Sequence, residues 1–136
     1  MTTSEHIWTR LLAAIEARDV PGLVACFAEN GIWQNVPHEP WVGRAEIGAR
    51  LAAVLNRSER VQWDVVTASF AEHRAWLERV DRFWIDGAEY AVRCNGVLEV
   101  DPPSGLIREF RDYVDLGEWR ARLTEAGLPG TPSDSL

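Results

Sequence analysis

Between Arg60 and Asp115 the chain reads as four strands in succession: Val61 to Phe70, Ala75 to Ile85, Glu89 to Val100 and Ile107 to Val114. The junctions are Glu72-His73-Arg74, Asp86-Gly87 and Asp101-Pro102-Pro103-Ser104-Gly105. Asp-Gly between two strand-like runs is a strong hairpin signal, and Pro-Pro-Ser-Gly is a looser turn. An antiparallel meander follows. A chain of 136 residues has room for about one domain around it and is too short for an α/β-hydrolase or a TIM barrel.

The first half is mostly helical. Thr2, with Glu5 three residues on, predicts a capping box, after which Ile7, Trp8, Leu11, Leu12 and Ile15 recur on one helical face. Asp19 is placed to cap a short second helix that buries Leu23, Val24 and Phe27. Asn30-Gly31 reads as a turn, Ile32 to Val36 as a strand closed by prolines, and Ala45 to Asn56 as a third helix. Asp115 and Glu118 predict the start of a last helix, Gly117 to Ala126, which Gly127 stops. The expectation is a single α+β domain over residues 1–127, with helices in the concave face of a curved sheet. A flexible C-terminal tail is expected over 128–136.

Composition removes several function classes. All 14 positive charges are arginine, so Schiff-base chemistry, pyridoxal-phosphate anchoring and a Walker A loop are out. A net charge of −7 leaves no surplus for neutralising phosphates, so neither nucleic acid nor an anionic membrane is an expected partner. Cys26 and Cys94 have no metal-ligand spacing, and His6, His38 and His73 are scattered, so no metal is expected. The opening residues carry neither the basic nor the apolar region of a signal peptide, and a cytoplasmic location is the expectation.

The chemistry sits where charged groups interrupt apolar stripes. Residues two apart on a strand share a face. Leu77, Arg79, Asp81 and Phe83 form one such stripe, Phe110, Asp112 and Val114 a second, Trp33 and Asn35 a third. If the three line one cavity, a single arginine fork can hold both carboxylates, and the surplus negative charge favours keeping one proton on the pair. One acid beside one base is what general acid–base catalysis requires. The competing reading places Arg79 and Asp81 on a solvated face. Periodicity does not choose, because the opposite stripe of that strand (Trp76, Glu78, Val80, Arg82, Trp84) is equally mixed.

The segment Trp33-Gln34-Asn35-Val36-Pro37, with Pro40 and Gly43-Arg44, resembles the asparagine-bearing strand and loop of the limonene-1,2-epoxide hydrolases. Glu78-Arg79-Val80-Asp81 is similar to their arginine–aspartate motif. Gly96-Val97 and Arg111-Asp112-Tyr113-Val114-Asp115-Leu116 are similar to their final strand. The three patches stand in the family's order and span roughly residues 5 to 126. The resemblance implies a cone-shaped fold of the nuclear transport factor 2 and ketosteroid isomerase type, in a homodimer. It also implies one-step hydrolysis of an apolar epoxide by water, with no cofactor, no metal and no covalent intermediate. By position, Asp112 is the base toward water, Asn35 holds that water, Asp81 is the acid toward the epoxide oxygen, and Arg79 bridges the aspartates. The family analogy also places Leu12, Ile15, Val54, Phe83, Val92, Val114 and Trp119 in the pocket lining.

Trp33 departs from the family, which usually has a water-binding tyrosine there. A phenol donates and accepts; an indole N–H only donates. Either Trp33 still supplies one hydrogen bond, or the water site is altered. In the second case the same acid–base pair would suit an isomerase or an epoxide-opening cyclase, and a non-catalytic apolar-ligand module is the third alternative.

Overall fold

A computed structural model of the chain describes residues 1–128. The expected tail at 129–136 lies outside the described residues. Leu128 does not belong to a tail: its N–H reaches the Leu123 carbonyl at 2.8 Å and its side chain packs on the core.

The order is α1 (Thr3–Glu16), α2 (Val20–Val24), β1 (Phe27–Val36), β2 (Trp41–Val42), α3 (Arg44–Leu55), β3 (Arg60–Phe70), β4 (Arg74–Ile85), β5 (Ala88–Val100), β6 (Ile107–Val114) and α4 (Leu116–Glu125). Thr2 caps α1 through its hydroxyl, which accepts from the Glu5 N–H at 3.1 Å, and Asp115 caps α4 through the Glu118 N–H at 3.1 Å. Each satisfies an N–H that the first helical turn leaves without a partner.

The six strands form one curved, unclosed sheet in the order β2-β1-β6-β5-β4-β3. The meander β3 to β6 is antiparallel throughout, while β1 joins β6 in parallel, so the sheet is mixed. Helix α1 packs on β3, β4 and β5, α3 on β1 and β2, and α4 on β5. Ile7, Trp8, Leu11 and Ile15 of α1, with Leu23, Leu51 and Leu55, are buried against the inner face. On the outer face Glu99 of β5 accepts hydrogen bonds from Arg111 of β6 and Arg74 of β4, which hold its pKa down at about 2. Among the described residues no helix is long and apolar enough to cross a membrane.

Two local expectations are corrected. Asn30-Gly31 is no turn but lies inside β1, where the register against β6 shifts between Phe27 and Ile32. A Cβ on Gly31 would stand 2.9 Å from the Ala28 carbonyl oxygen and 3.0 Å from that of Ile107. The glycine therefore marks a close backbone approach within a bulged strand, the other common meaning of an isolated strand glycine. Phe27 accordingly opens β1 rather than finishing α2, and remains fully buried.

Candidate active site

The meander decides which face of β4 is inside. Ala75, Leu77, Arg79, Asp81, Phe83 and Ile85 are buried, whereas Trp76 and Glu78 face out. Arg79 and Asp81 are therefore not a surface pair. Register then brings the stripes together: Asn35 pairs with Asp112 across β1 and β6, Asp112 with Gly96 across β6 and β5, and Arg79 with Cys94 across β4 and β5.

Arg79 is 1% exposed, the largest of the fully buried side chains. Its Nε donates to Asp81 Oδ1 at 3.0 Å and its Nη2 to Asp81 Oδ2 at 2.9 Å, a bidentate fork. The same Nη2 lies 3.0 Å from Asp112 Oδ1, close enough for an ion pair, but no N–H is aimed at that oxygen. The guanidinium carbon stands 4.6 Å from the Trp63 ring, 5.3 Å from Phe110 and 5.6 Å from Trp8. Three aromatic faces thus surround the cation that water has been stripped from. Burial works against the charge on Arg79, but Asp112 and Asp81 outweigh it and hold its pKa well above the ordinary value.

The carboxylates are held unequally. Asp81 accepts both bonds of the fork and a third from the Cys94 thiol, 3.3 Å from Oδ2. Asp112 accepts one aligned bond, from Trp33 Nε1 to Oδ2 at 3.1 Å. Burial raises the pKa of Asp112; Arg79 opposes the shift and the neighbouring charge of Asp81 adds to it. Burial and then Asp81 push the Cys94 thiol upward too, so it stays a protonated donor. Asp81 thus accepts from three donors and Asp112 from one, and burial disfavours the charged form of Asp112.

These groups border a cleft of about 440 Å³ that includes its mouth. Trp33, Asn35, Asp81, Asp112, Phe83, Val54, Val92, Val114 and Trp119 all line it. Leu12 and Ile15 do not: Ile15 is fully buried in the core and Leu12 half-buried against it, because α1 packs on the sheet away from the cleft. Trp41 lines the cleft too, as do Leu51, Trp63 and Cys94, the last three not foreseen as lining. The Asn35 carboxamide forms no hydrogen bond with the described residues and is 7% exposed, leaving it available beside Asp112. Trp33 serves twice. Its ring stacks between Phe27 (5.6 Å) and Phe110 (5.0 Å), and its N–H is committed to Asp112. Tyr113 points away and is half exposed. No group of three or more His, Cys, Asp or Glu among the described residues is arranged to hold a metal ion.

Gly96 makes the cluster possible. A Cβ there would meet Arg79 Nη1 at 2.5 Å, Phe110 at 2.6 Å and Asp112 Oδ1 at 2.8 Å. The backbone at Gly96 is ordinary extended strand, so only space demands glycine. Gly96→Ala is expected to push Arg79 away from Asp112, lose about 1–3 kcal/mol of stability by overpacking and lose turnover with it. Melting curves and initial rates check this; an alanine variant that melts and turns over like the parent would mean the cluster has slack.

The architecture and the buried acid pair define the class: a curved-sheet α+β domain of the nuclear transport factor 2 and ketosteroid isomerase type. The chain belongs to the SnoaL-like domain family, which it matches over residues 8–110. A hypothetical protein with a ketosteroid isomerase-like fold from Catenulispora acidiphila DSM 44928, solved with trimethylamine, is 24% identical, covers 91% of this chain and 94% of its own, and gives a TM-score of 0.71. An LEH-like epoxide hydrolase of M. tuberculosis is 21% identical over 89% of each chain, with a TM-score of 0.72. SalBIII, an epoxide hydrolase/cyclase-like enzyme of pyran ring formation in the polyether salinomycin, is 15% identical over 84% of this chain and 92% of its own, with a TM-score of 0.73. At such identities the likeness carries the fold.

Proposed function

We propose that this protein is an epoxide hydrolase of the limonene-1,2-epoxide hydrolase type, a cytoplasmic homodimer that adds water to an apolar epoxide without a cofactor. The observation that carries the reading is the buried Asp81–Arg79–Asp112 cluster, with the free Asn35 amide beside Asp112, at the wall of an apolar cleft. Two carboxylates and one guanidinium are neutral when the pair holds one proton. In the reactive arrangement that proton is on Asp81 and Asp112 is ionised. Water held by Asn35 and Asp112 gives up a proton to Asp112 as its oxygen attacks a ring carbon. The C–O bond breaks, and the oxygen takes the proton of Asp81. Asp81 is left as an anion in the Arg79 fork, and Asp112 as the acid its burial favours. Returning the proton from Asp112 to Asp81 completes the cycle.

The indole commitment favours one second reading on the same pair. With no phenol to hold water, an internal hydroxyl of the substrate can take water's place and close a ring, as in an epoxide-opening cyclase. Incubating a panel of epoxides in heavy-oxygen water separates the two: one labelled oxygen in a diol supports hydrolysis, and an unlabelled cyclised product replaces it by cyclisation. Binding without turnover would leave a ligand-binding module.

Trp33→Phe tests the pH logic. Arg79 and the indole N–H both lower the pKa of Asp112, the indole through an aligned hydrogen bond, and a hydrogen bond to a charged group is worth about 1.5–3 kcal/mol. Removing it disfavours the carboxylate, so the raised pKa rises further. Asp112 must be ionised to act, so the acid limb of kcat/KM is expected to move to higher pH, by roughly one unit for each ~1.4 kcal/mol. An unmoved limb in a folded variant would detach Asp112 from the rate.

A further inference from the structure

Two indole donors on residues that line the cleft have no partner among the described residues. The indole Nε1 atoms of Trp63 and Trp119 are buried and meet no acceptor among the described residues. Both side chains line the cleft, and their residues are 5% and 7% exposed. Trp63 stands on β3 opposite Asp81 in register; Trp119 stands on α4, and Phe83 packs against both rings, at 6.3 and 5.8 Å between centroids. A buried N–H without a partner is an expensive state, rare in folded proteins. Trapped water can answer it while the cleft is empty, but a bound apolar molecule expels that water. A hydrocarbon epoxide would then leave the donors stranded.

Counting lone pairs shows what is missing. An epoxide oxygen has two. Under the hydrolase reading the Asp81 proton takes one, and one indole at most takes the other. The second indole needs another acceptor. The geometry points to a substrate class: an epoxide on an apolar skeleton that also carries a second acceptor oxygen, a carbonyl, ether or hydroxyl, with Trp63 and Trp119 as the residues that select it. This substrate class rests on the proposed epoxide chemistry; the donor pair itself does not.

Cyclohexanone and methylenecyclohexane make a matched pair, alike in shape and differing in a C=O for a C=CH2. Neither can be hydrolysed, so binding is read apart from turnover. In uniformly ¹⁵N-labelled protein, cyclohexanone is expected to move the Trp63 and Trp119 indole N–H resonances downfield, assigned through Trp63→Phe and Trp119→Phe. It is also expected to bind about tenfold more tightly than methylenecyclohexane, the order of one net hydrogen bond. Equal affinities, or shifts confined to the Asn35 amide, would overturn the donor assignment. Those shifts are read in the parent protein and stand even if a phenylalanine variant fails to fold. An epoxide panel run alongside separates the two ideas. Ketone preference without epoxide opening would sink the hydrolase reading and leave the donors standing. Fast opening of plain hydrocarbon epoxides, with no gain from a second oxygen, would overturn the substrate class alone.

Discussion

Asp81→Asn and Asp112→Asn are each expected to remove nearly all turnover while the fold persists. A positioned general acid or base supplies typically ~10²–10⁴-fold, and each amide keeps the shape of the acid while losing the transferable proton or its acceptor. Their effects on stability should differ. Asp112 has a folded pKa raised by burial. A raised pKa favours folding fully below the unfolded value, and that contribution is lost as pH rises through the folded value. At neutral pH the buried Asp112 carboxylate is therefore a burden, and Asp112→Asn should melt no lower than the parent. Asp81→Asn takes away the anion that both arms of the Arg79 fork hold and should melt lower. Initial rates on one confirmed epoxide, with melting curves at pH 7, check both halves. Turnover near that of the parent in either variant removes that residue from the mechanism, and equal melting losses would refute the unequal sharing of donors.

How much of this was legible in the sequence depended on which register a turn could fix. The Asp86-Gly87 turn sets the β4–β5 ladder from Ile85 against Ala88 without interruption to Arg74 against Glu99. Counting outward from it places Arg79 beside Cys94, and that part of the site could have been read. The β3–β4 hairpin could not. Its ladder starts with Phe70 against Ala75, and a bulge between Val65 and Thr67 slips it by one. Counting from the turn without that slip pairs Trp63 with Arg82 and sends the indole to the outer face; with it, Trp63 stands opposite Asp81 and lines the cleft. A one-residue slip inverts every side chain beyond it, and nothing in Trp63-Asp64-Val65-Val66-Thr67 announces a bulge. The parallel pairing of β1 with β6 is longer in range still. No local turn joins Asn35 to Asp112 across the intervening residues, so only the resemblance brought them together. Cys94 is buried, and its thiol bond to Asp81 needed coordinates.

Arg79→Ala is expected to lower stability by roughly 3–5 kcal/mol, the scale for breaking a buried ion pair by removing one partner. The guanidinium is enclosed by Trp63, Phe110 and Trp8 and is the one cation within reach of both carboxylates among the described residues. Without it, two acids face each other in an apolar cleft, and a void replaces the side chain. The loss should depend on pH in a definite direction. Asp112, raised by burial and no longer opposed by Arg79, would titrate higher still, so the variant is penalised most at neutral pH and recovers as pH falls and that carboxylate takes up its proton. A purely steric void would give a deficit that pH does not touch. Combining Arg79→Met with Asp81→Asn and Asp112→Asn removes all three charges and refills the space. Since an apolar or neutral replacement of a buried ionic cluster is often no less stable than the original, the triple variant is expected to melt near or above the parent and to be inactive. Denaturant titrations of the parent, Arg79→Ala and the triple variant at pH 5 and pH 8 distinguish the cases. An Arg79→Ala protein as stable as the parent at pH 8 would mean the two acids need no cation between them. A triple variant that melts far below the parent would mean the cluster is kept for stability. If it is stable and inactive, this fold bears the cost of burying three charges for the sake of proton transfer.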